Sequence, residues 1–176
     1  MAQLFTLILF LFYSLNHVAS DEYYIVANST DLCSSSCLTL TEFVTNFSYL
    51  SAHNITITFS PGVHYLNDSL VVSDLGTFSM TSDNKTAQIE CTSYSQMIFN
   101  YTRNIFVTNL QFVGCGSNQV MDVENFIIHD TTFIGQNNRG ITLQLTRTTG
   151  KIMNCDFLSL HWSGTINWWC NHCNQQ

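Results

Sequence analysis

The stretch Asn104-Ile-Phe-Val-Thr-Asn-Leu-Gln-Phe-Val-Gly-Cys115 returns in altered form as Asn125-Phe-Ile-Ile-His-Asp-Thr-Thr-Phe-Ile-Gly-Gln136. A third, more divergent copy reads Thr149-Gly-Lys-Ile-Met-Asn-Cys-Asp-Phe-Leu-Ser-Leu160. Aligned on the phenylalanine near the end of each copy, successive copies are offset by 21 and 24 residues. Self-similarity at such a period is typical of solenoids, in which each repeat stacks on its neighbours because it cannot bury its own hydrophobic face.

The alignment produces three columns of equivalent residues: one aliphatic, one of Asn and Asp, and one of phenylalanine. Their members are Val107, Ile128 and Ile152; Asn109, Asp130 and Asn154; and Phe112, Phe133 and Phe157. A weaker copy at 78–83 adds Met80 and Ser82 to the first two columns. We expect the Asn/Asp column where the chain bends, because both residues tolerate left-handed backbone geometry.

A second family of short strands lies between these copies and recurs at a similar spacing. Its members are Gln96-Met-Ile-Phe99, Gln119-Val-Met-Asp-Val123 and Gly140-Ile-Thr-Leu-Gln-Leu145. Each period therefore holds two or three short strands and polar turns, with no room for a helix. The pattern predicts an all-β fold over residues 54–160, a parallel β-helix whose coils stack about 4.8 Å apart. An antiparallel β-sandwich would explain the alternation but not the recurrent spacing.

The beginning of the chain predicts export. Residues 4–13 are almost entirely apolar, which suits a signal peptide but is short of the roughly 20 residues of a spanning helix. Small residues at 18–20 suit a cleavage site, and the first charged side chain is Asp21. We therefore expect residues 1–20 to be a cleaved signal peptide and the protein to be secreted. The alternative is an uncleaved anchor or a buried helix.

Two further features fit an oxidising, glycosylating compartment. Six Asn-X-Ser/Thr acceptors are predicted glycosylation sites: Asn28, Asn46, Asn54, Asn67, Asn84 and Asn100. All seven cysteines follow the predicted cleavage site. Because that number is odd, at least one thiol is left over or pairs with another chain.

Charge composition excludes some partners. Only 10% of the residues are charged, against about 25% in an average soluble protein, and the formal net charge is -7. Few lysines and arginines disfavour nucleic acid and anionic membranes as partners. After signal cleavage we expect no membrane association.

Several segments resemble secreted animal proteins, known from sponges, that carry a right-handed parallel β-helix domain of the pectin-lyase-like superfold. The likeness lies in Tyr23-Tyr-Ile-Val-Ala27, Phe59-Ser-Pro-Gly-Val-His-Tyr-Leu66, Ala87-Gln-Ile-Glu-Cys91 and Asn109-Leu-Gln-Phe-Val-Gly-Cys-Gly116. It covers residues 21–156 and implies a right-handed solenoid in an extracellular setting. It implies no activity. Proteins of this kind continue through more coils, so we expect a truncated C-terminal end.

The two ends differ from the coils. Residues 21–53 are predicted to form an N-terminal strand, a disulfide loop and a capping helix at 38–44, where apolar residues have helical spacing. Residues 161–176 form a tail rich in Trp and Cys that lacks alternation. This tail suits a cap, an oligomer contact or the trace of a truncated or mispredicted gene model, and we favour the last.

The spacing of the coils indicates which cysteines can form disulfides. Cys33 and Cys37 are close enough for a local disulfide. Cys91 and Cys115 are 24 residues apart, which is one coil, so we predict a disulfide between adjacent coils. Cys155 is a candidate for the unpaired thiol. The final Cys170-Asn-His-Cys173 resembles half of a zinc site, but a zinc site needs further ligands and secreted cysteines usually oxidise, so a disulfide or a nonnative tail is the favoured interpretation.

Enzymes of this fold need clustered acids and bases, and here the charged residues are mostly scattered. Asp122, Glu124 and Asp130 have the oxygen ligands for calcium, but a solvated face is the favoured interpretation. Arg103 is expected beside Glu124 on adjacent coils, whereas Arg139 and Arg147 are isolated in sequence, and His129 is expected to be structural.

The sequence thus predicts a secreted, non-enzymatic β-helix protein that acts as an extracellular binding or structural module. Its partner is expected to be an extracellular protein or a glycan, and no cofactor is expected. The alternative is a degenerate or incomplete carbohydrate-active enzyme of the pectin-lyase-like class.

Overall fold

A computed structural model describes residues 20–27, 37–47, 54–83, 86–92, 95–135, 142–158, 168–171 and 174–175. The elements in these residues, in chain order, are β1 (Ser20–Ile25), β2 (Cys37–Leu38), α1 (Leu40–Phe47), β3 (Asn54–Phe59), β4 (Gly62–Leu66), β5 (Leu70–Ser73), β6 (Thr77–Ser82), β7 (Ala87–Cys91), β8 (Met97–Asn100), β9 (Asn104–Thr108), β10 (Leu110–Val113), β11 (Ser117–Met121), β12 (Asn125–His129), β13 (Thr132–Ile134), β14 (Thr142–Thr146), β15 (Gly150–Met153), β16 (Asp156–Leu158), β17 (Trp168–Asn171) and β18 (Asn174–Gln175).

In the described part of the chain the strands form three sheets, which we call A, B and C. Sheet A has the order β17-β15-β12-β9-β6-β3-β1-β2, sheet B has β18-β16-β13-β10-β7-β4, and sheet C has β14-β11-β8-β5. Neighbouring strands are parallel. Three consecutive strands from β3 onward visit sheets A, B and C in turn and make one coil, so β3 to β14 form coils 1 to 4. The predicted parallel β-solenoid is confirmed, and the antiparallel sandwich is wrong.

Strand pairing confirms the aliphatic column. Val107 pairs with Met80 on the preceding coil and with Ile128 on the following coil, and Ile128 pairs with Ile152. All four side chains are buried. Alternation places every second residue of a strand inside, and the parallel register then sets like residues on top of one another. The solenoid interior is therefore a continuous apolar core.

The phenylalanine column is also confirmed. Phe112 pairs with Phe133, and Phe133 pairs with Phe157. The rings of each successive pair have centroids 5.1 Å apart and planes within 14° of parallel. Each ring is buried, so this stack fills the core behind sheet B.

The Asn/Asp column lies at the turn from sheet A to sheet B, which we call the AB corner. Asn109, Asp130 and Asn154 have φ angles of 58°, 53° and 52°. This is the left-handed region, which non-glycine residues other than Asn, Asp and His rarely adopt. The predicted bend therefore exists at these residues.

Helix α1 confirms the predicted short helix but begins two residues later. Leu38 belongs to β2, and α1 begins at Leu40 because Thr39 caps it. The Glu42 backbone N–H donates to Thr39 Oγ1 at 3.3 Å, and the Thr39 N–H donates to a carboxylate oxygen of Glu42 at 2.8 Å. This reciprocal arrangement is a capping box. The Thr39 backbone N–H, as the largest cause, and the Thr39 hydroxyl both donate to the Glu42 carboxylate and hold the pKa of Glu42 below its ordinary value.

The buried face of α1 covers the start of the core. Phe43 is almost fully buried and meets the Tyr23 ring edge-on, with centroids 5.2 Å apart. Phe47 contacts Phe78 of coil 2, with centroids 5.9 Å apart. The predicted N-terminal strand is β1, which includes Ser20 and pairs with β3 of coil 1. In the described residues no helix has the length and hydropathy needed to span a membrane.

At the other end, strands continue beyond the last complete coil. β17 pairs with β15, and β18 pairs with β16, each in parallel. The sequence separates 161–176 from the coils as a tail, whereas these two strands extend sheets A and B by one strand each.

Candidate functional site

The most distinctive surface of the protein is the turn from sheet C of one coil to sheet A of the next, which we call the CA corner. It consists of residues 74–76, 101–103, 122–124 and 147–149. The first residue of each turn has a left-handed backbone: Asp74, Tyr101, Asp122 and Arg147 have φ angles of 59°, 49°, 54° and 49°. The backbone N–H of Asp74, Tyr101 and Asp122 each donates to a carbonyl oxygen of the next coil. The four turns are therefore stacked in register.

Within each turn the second residue points inward, and it is a threonine in two coils. Thr102 is buried and its hydroxyl donates to the Asn100 carbonyl oxygen at 3.0 Å. Thr148 donates in the same way to the Thr146 carbonyl oxygen at 3.1 Å. Thr131 repeats this bond at the AB corner, where it donates to the His129 carbonyl oxygen at 3.0 Å. The hydroxyls thus fix the bend from inside.

Charged side chains on the outside of the CA corner bond across coils. The guanidinium of Arg147 donates from Nε to Asp122 Oδ1 at 2.6 Å and from Nη2 to Asp122 Oδ2 at 2.7 Å. Arg103 Nε lies 3.3 Å from Glu124 Oε2. The first pair is bidentate, which is the stronger and more directional arrangement. The hydrogen bonds from Arg147 lower the pKa of the Asp122 carboxyl, and those to Asp122 raise the pKa of Arg147.

This corner concentrates positive charge that is scarce elsewhere. The chain has five lysines and arginines, and two of the three in the described residues, Arg103 and Arg147, lie here. Their side chains are 69% and 71% exposed, and Tyr101, in the same turn as Arg103, is 64% exposed. The CA corner therefore presents arginine, carboxylate and an aromatic ring to solvent in a fixed arrangement.

The predicted calcium patch is divided between the two corners. Asp122 and Glu124 lie at the CA corner, each bonded to an arginine, whereas Asp130 lies at the AB corner. No group of three or more His, Cys, Asp or Glu side chains that could hold a metal ion occurs in the described part of the chain. The expected proximity of Arg103 and Glu124 is confirmed. Arg139 lies outside the described residues.

At the AB corner His129 and Asp130 form a close pair. His129 Nδ1 lies 2.6 Å from Asp130 Oδ2, and His129 Nε2 lies 3.5 Å from the side-chain amide of Asn154. Both side chains of the pair are partly exposed. An imidazole held by a carboxylate at Nδ1 has the orientation of a general base, and the sequence alone favours only a structural role for His129.

Four of the six predicted glycan acceptors lie in the described residues. Asn46 in the last turn of α1 and Asn67 after β4 are exposed. Asn54, which begins β3, and Asn100, which ends β8, are half-buried. Asn67 Nδ2 donates to Thr41 Oγ1 of α1 at 3.2 Å, so the two exposed acceptors both lie around the helix. Asn28 and Asn84 lie outside the described residues.

The predicted disulfide between adjacent coils is present. Cys91 and Cys115 are joined, with their Cα atoms 4.8 Å apart. Cys37 is disulfide-bonded, and Cys33 and Cys173 lie outside the described residues. Cys155 is buried, and its Sγ donates to the Met153 carbonyl oxygen at 3.2 Å, the same bond that the corner threonines make.

A cavity of about 430 Å³ lies between α1 and the first coil. Its lining is mostly apolar and includes Phe47, Ile55, Leu70 and Leu75, with the hydroxyls of Ser69 and Ser73 as polar groups. Its volume is in the range of small-molecule sites. Its lining contains no titratable side chain among the described residues. The cavity could therefore enclose a small apolar molecule but has no group for acid–base catalysis.

Comparison of the chain with models of protein families, with curated proteins and with solved structures found no match.

Proposed function

We propose that this protein is a secreted, non-enzymatic β-solenoid that acts as an extracellular binding or structural module. The observation that carries the proposal is the pairing of charges at the CA corner. Asp122 and Glu124 each form an ion pair with an arginine of an adjacent coil, and both arginine side chains are about 70% exposed. Acid–base catalysis needs groups that are free to exchange protons with a substrate held in place, whereas fixed and exposed ion pairs suit recognition.

Export, glycosylation and membership of the secreted animal β-helix group are part of the same proposal. The apolar segment at 4–13 and the sequons support export. Glycans on Asn46 and Asn67 would surround α1 at the N-terminal end and leave the corners of coils 3 and 4 uncovered. We accordingly assign partner contact to the later coils.

The first experiment expresses the full chain in cultured animal cells and compares the medium with the lysate. The proposal expects the protein in the medium, starting near Asp21, with a mass that falls when N-glycans are removed. An unglycosylated protein that stays in the cytosol would contradict it.

A second experiment addresses activity. Purified protein is incubated with acidic and neutral polysaccharides, and binding is measured together with the release of unsaturated or reducing ends. Binding to a polysaccharide or an extracellular protein without release supports a binding module.

One observation favours the alternative of a degenerate or incomplete carbohydrate-active enzyme. The His129–Asp130 pair has the geometry of an oriented base at 2.6 Å. If new chain ends appear, and His129→Gln abolishes them while leaving thermal unfolding unchanged, the enzyme interpretation replaces the binding module.

A further inference from the structure

The charges at the CA corner alternate in sign from coil to coil. Asp74 of coil 1, Asp122 of coil 3 and Arg147 after coil 4 are the first residues of their turns, whereas Arg103 of coil 2 and Glu124 of coil 3 are third residues. Because adjacent coils are about 4.8 Å apart, the row is about 15 Å long. It reads negative, positive, negative, positive along the solenoid axis.

Two copies of this row are complementary when they run in opposite directions. A two-fold axis between coils 2 and 3 sets coil 1 of each copy against coil 4 of the other, and coil 2 against coil 3. Each pair of facing coils then brings an acid of one copy against a base of the other, so the surface is complementary to itself, as a closed isologous contact requires. Rows that run in the same direction and in register place like charges together, and so do antiparallel rows shifted by one coil. Rows that run in the same direction with a shift of one coil oppose unlike charges, but that contact is head-to-tail and does not close into a dimer. Such like-charge contacts select against the wrong register.

The charged groups of the row can form further ion pairs in addition to their contacts within the chain. Asp74 is exposed and takes part in none of the ion pairs between described residues. Arg103 and Glu124 are 69% and 66% exposed, and Arg103 Nε lies 3.3 Å from Glu124 Oε2, a longer contact than those between Arg147 and Asp122. Because a guanidinium has five N–H donors, Arg103 and Arg147 can each donate hydrogen bonds to a second carboxylate.

The surroundings of the row lower the cost of bringing two copies together. Tyr101 is 64% exposed on coil 2, beside the two-fold axis, and Tyr and Arg are the residues that most often dominate binding energy at interfaces. The adjoining outer face of sheet C carries no charged side chain among the described residues, and Val71 is 45% exposed on it. On this adjoining face, outside the row itself, no charged side chain of the described residues would have to lose its water.

We propose that two copies of this chain pair in antiparallel orientation along the CA corner, with Asp74 of each copy opposite Arg147 of the other. This goes beyond the proposed function, does not depend on export, and requires that Asn100, which directly precedes Tyr101, carries no glycan. A row of four turns is a small interface, so the dimer is weak and reversible, in the class of transient complexes.

Sedimentation equilibrium of the full-length chain tests this pairing through a charge exchange. The four proteins are the reference, Asp74→Arg, Arg147→Glu and the double variant. All carry Asn100→Gln, so that no glycan at residue 100 lies beside Tyr101. The reference is expected to dimerise, and each single variant is expected to weaken the dimer at least about tenfold. The double variant restores opposite charges between the copies and is expected to return to within about threefold of the reference.

Thermal unfolding separates this effect from a change within the chain. Arg147→Glu removes the bond to Asp122 and lowers the melting temperature. Asp74→Arg cannot restore it, because the two residues are three coils apart in one copy. Recovery of the dimer without recovery of the melting temperature is thus the signature of contact between copies.

Asp68→Arg is the matched control, because it makes the same charge change as Asp74→Arg on an exposed residue between β4 and β5, at the turn from sheet B to sheet C. It should leave the dimer unchanged. The proposal is overturned if the reference stays monomeric throughout the range of concentrations in which it is soluble. It is also overturned if the double variant dimerises no better than the singles, or if Asp68→Arg weakens the dimer as much as Asp74→Arg.

Discussion

Phe133 stacks on Phe157 of the next coil, with ring centroids 5.1 Å apart and planes 5° from parallel. The two residues are 24 positions apart in sequence, yet the parallel register places them directly over one another. Phe112 continues the stack on the other side at the same centroid distance. Each ring therefore depends on its neighbours for burial, which makes the middle ring the most sensitive position in the column.

Replacing Phe133 by Ala should destabilise the protein by about 3–5 kcal/mol, because it removes a buried ring and leaves a cavity between two others. Thr132→Ala is the matched control, since Thr132 precedes Phe133 on β13 and is not buried. Its effect should stay within about 0.5 kcal/mol. Equilibrium unfolding in urea measures both, and equal losses would show that the column is not in the core.

The Cys91–Cys115 disulfide should stabilise the fold mainly by restricting the unfolded chain. For a sequence separation of 24 residues the loop-closure model gives about 3.5 kcal/mol. Cys91→Ala/Cys115→Ala should lose that amount in urea unfolding. A reducing agent should then destabilise the parent protein more than the double variant. Identical sensitivity of the two proteins to the reductant would refute the assignment.

Thr131 shows what the inward threonines contribute at the corners. Its side chain is fully buried, and its hydroxyl donates to the carbonyl of His129. Thr131→Val keeps the shape and removes the bond, so we expect a loss of about 1 kcal/mol. Thr132→Val, at the next residue, which begins β13 and is not buried, should cost less. A valine at 131 that raised stability would contradict this role for the hydroxyl.

The Asp122–Arg147 pair makes a defined contribution to pH dependence. The folded state lowers the pKa of Asp122, so the ionised carboxylate favours folding above its unfolded value of about 3.9. This stability is lost as the pH falls through the lower folded value. Asp122→Asn should therefore reduce the fall in melting temperature between about pH 5 and pH 2. Scans of melting temperature across that range compare the two proteins, and parallel curves would contradict the prediction.

The repeat made most of the fold predictable. The aliphatic and phenylalanine columns follow from period and alternation, and the Asn/Asp column follows from backbone preference. The capping box Thr39-Leu-Thr-Glu42 was also readable and would have placed the start of α1 correctly.

The CA corner was not predictable in the same way. Its left-handed positions hold Asp74 and Asp122, but also Tyr101 and Arg147, and these last two residue types give no signal for that conformation. The pairing of Asp122 with Arg147 joins residues 25 positions apart and depends on the register of the coils. Asp122 and Asp130 are both acidic and close in sequence, but Asp122 lies at the CA corner and Asp130 lies at the AB corner.

Every other conclusion depends on the parallel, in-register stacking of the coils. Disulfide cross-linking of paired positions tests this stacking directly. Thr81 and Thr108 are partners on β6 and β9, and both point outward. Thr81→Cys/Thr108→Cys should form an intramolecular disulfide under mild oxidation, because adjacent coils lie about 4.8 Å apart. Thr81→Cys/Phe106→Cys is displaced by two residues, to a Cα separation of about 8 Å, and should not cross-link. A non-reducing gel and peptide mass mapping read the outcome. Cross-linking of the first pair alone is the predicted result, and equal or reversed yields would contradict the parallel solenoid.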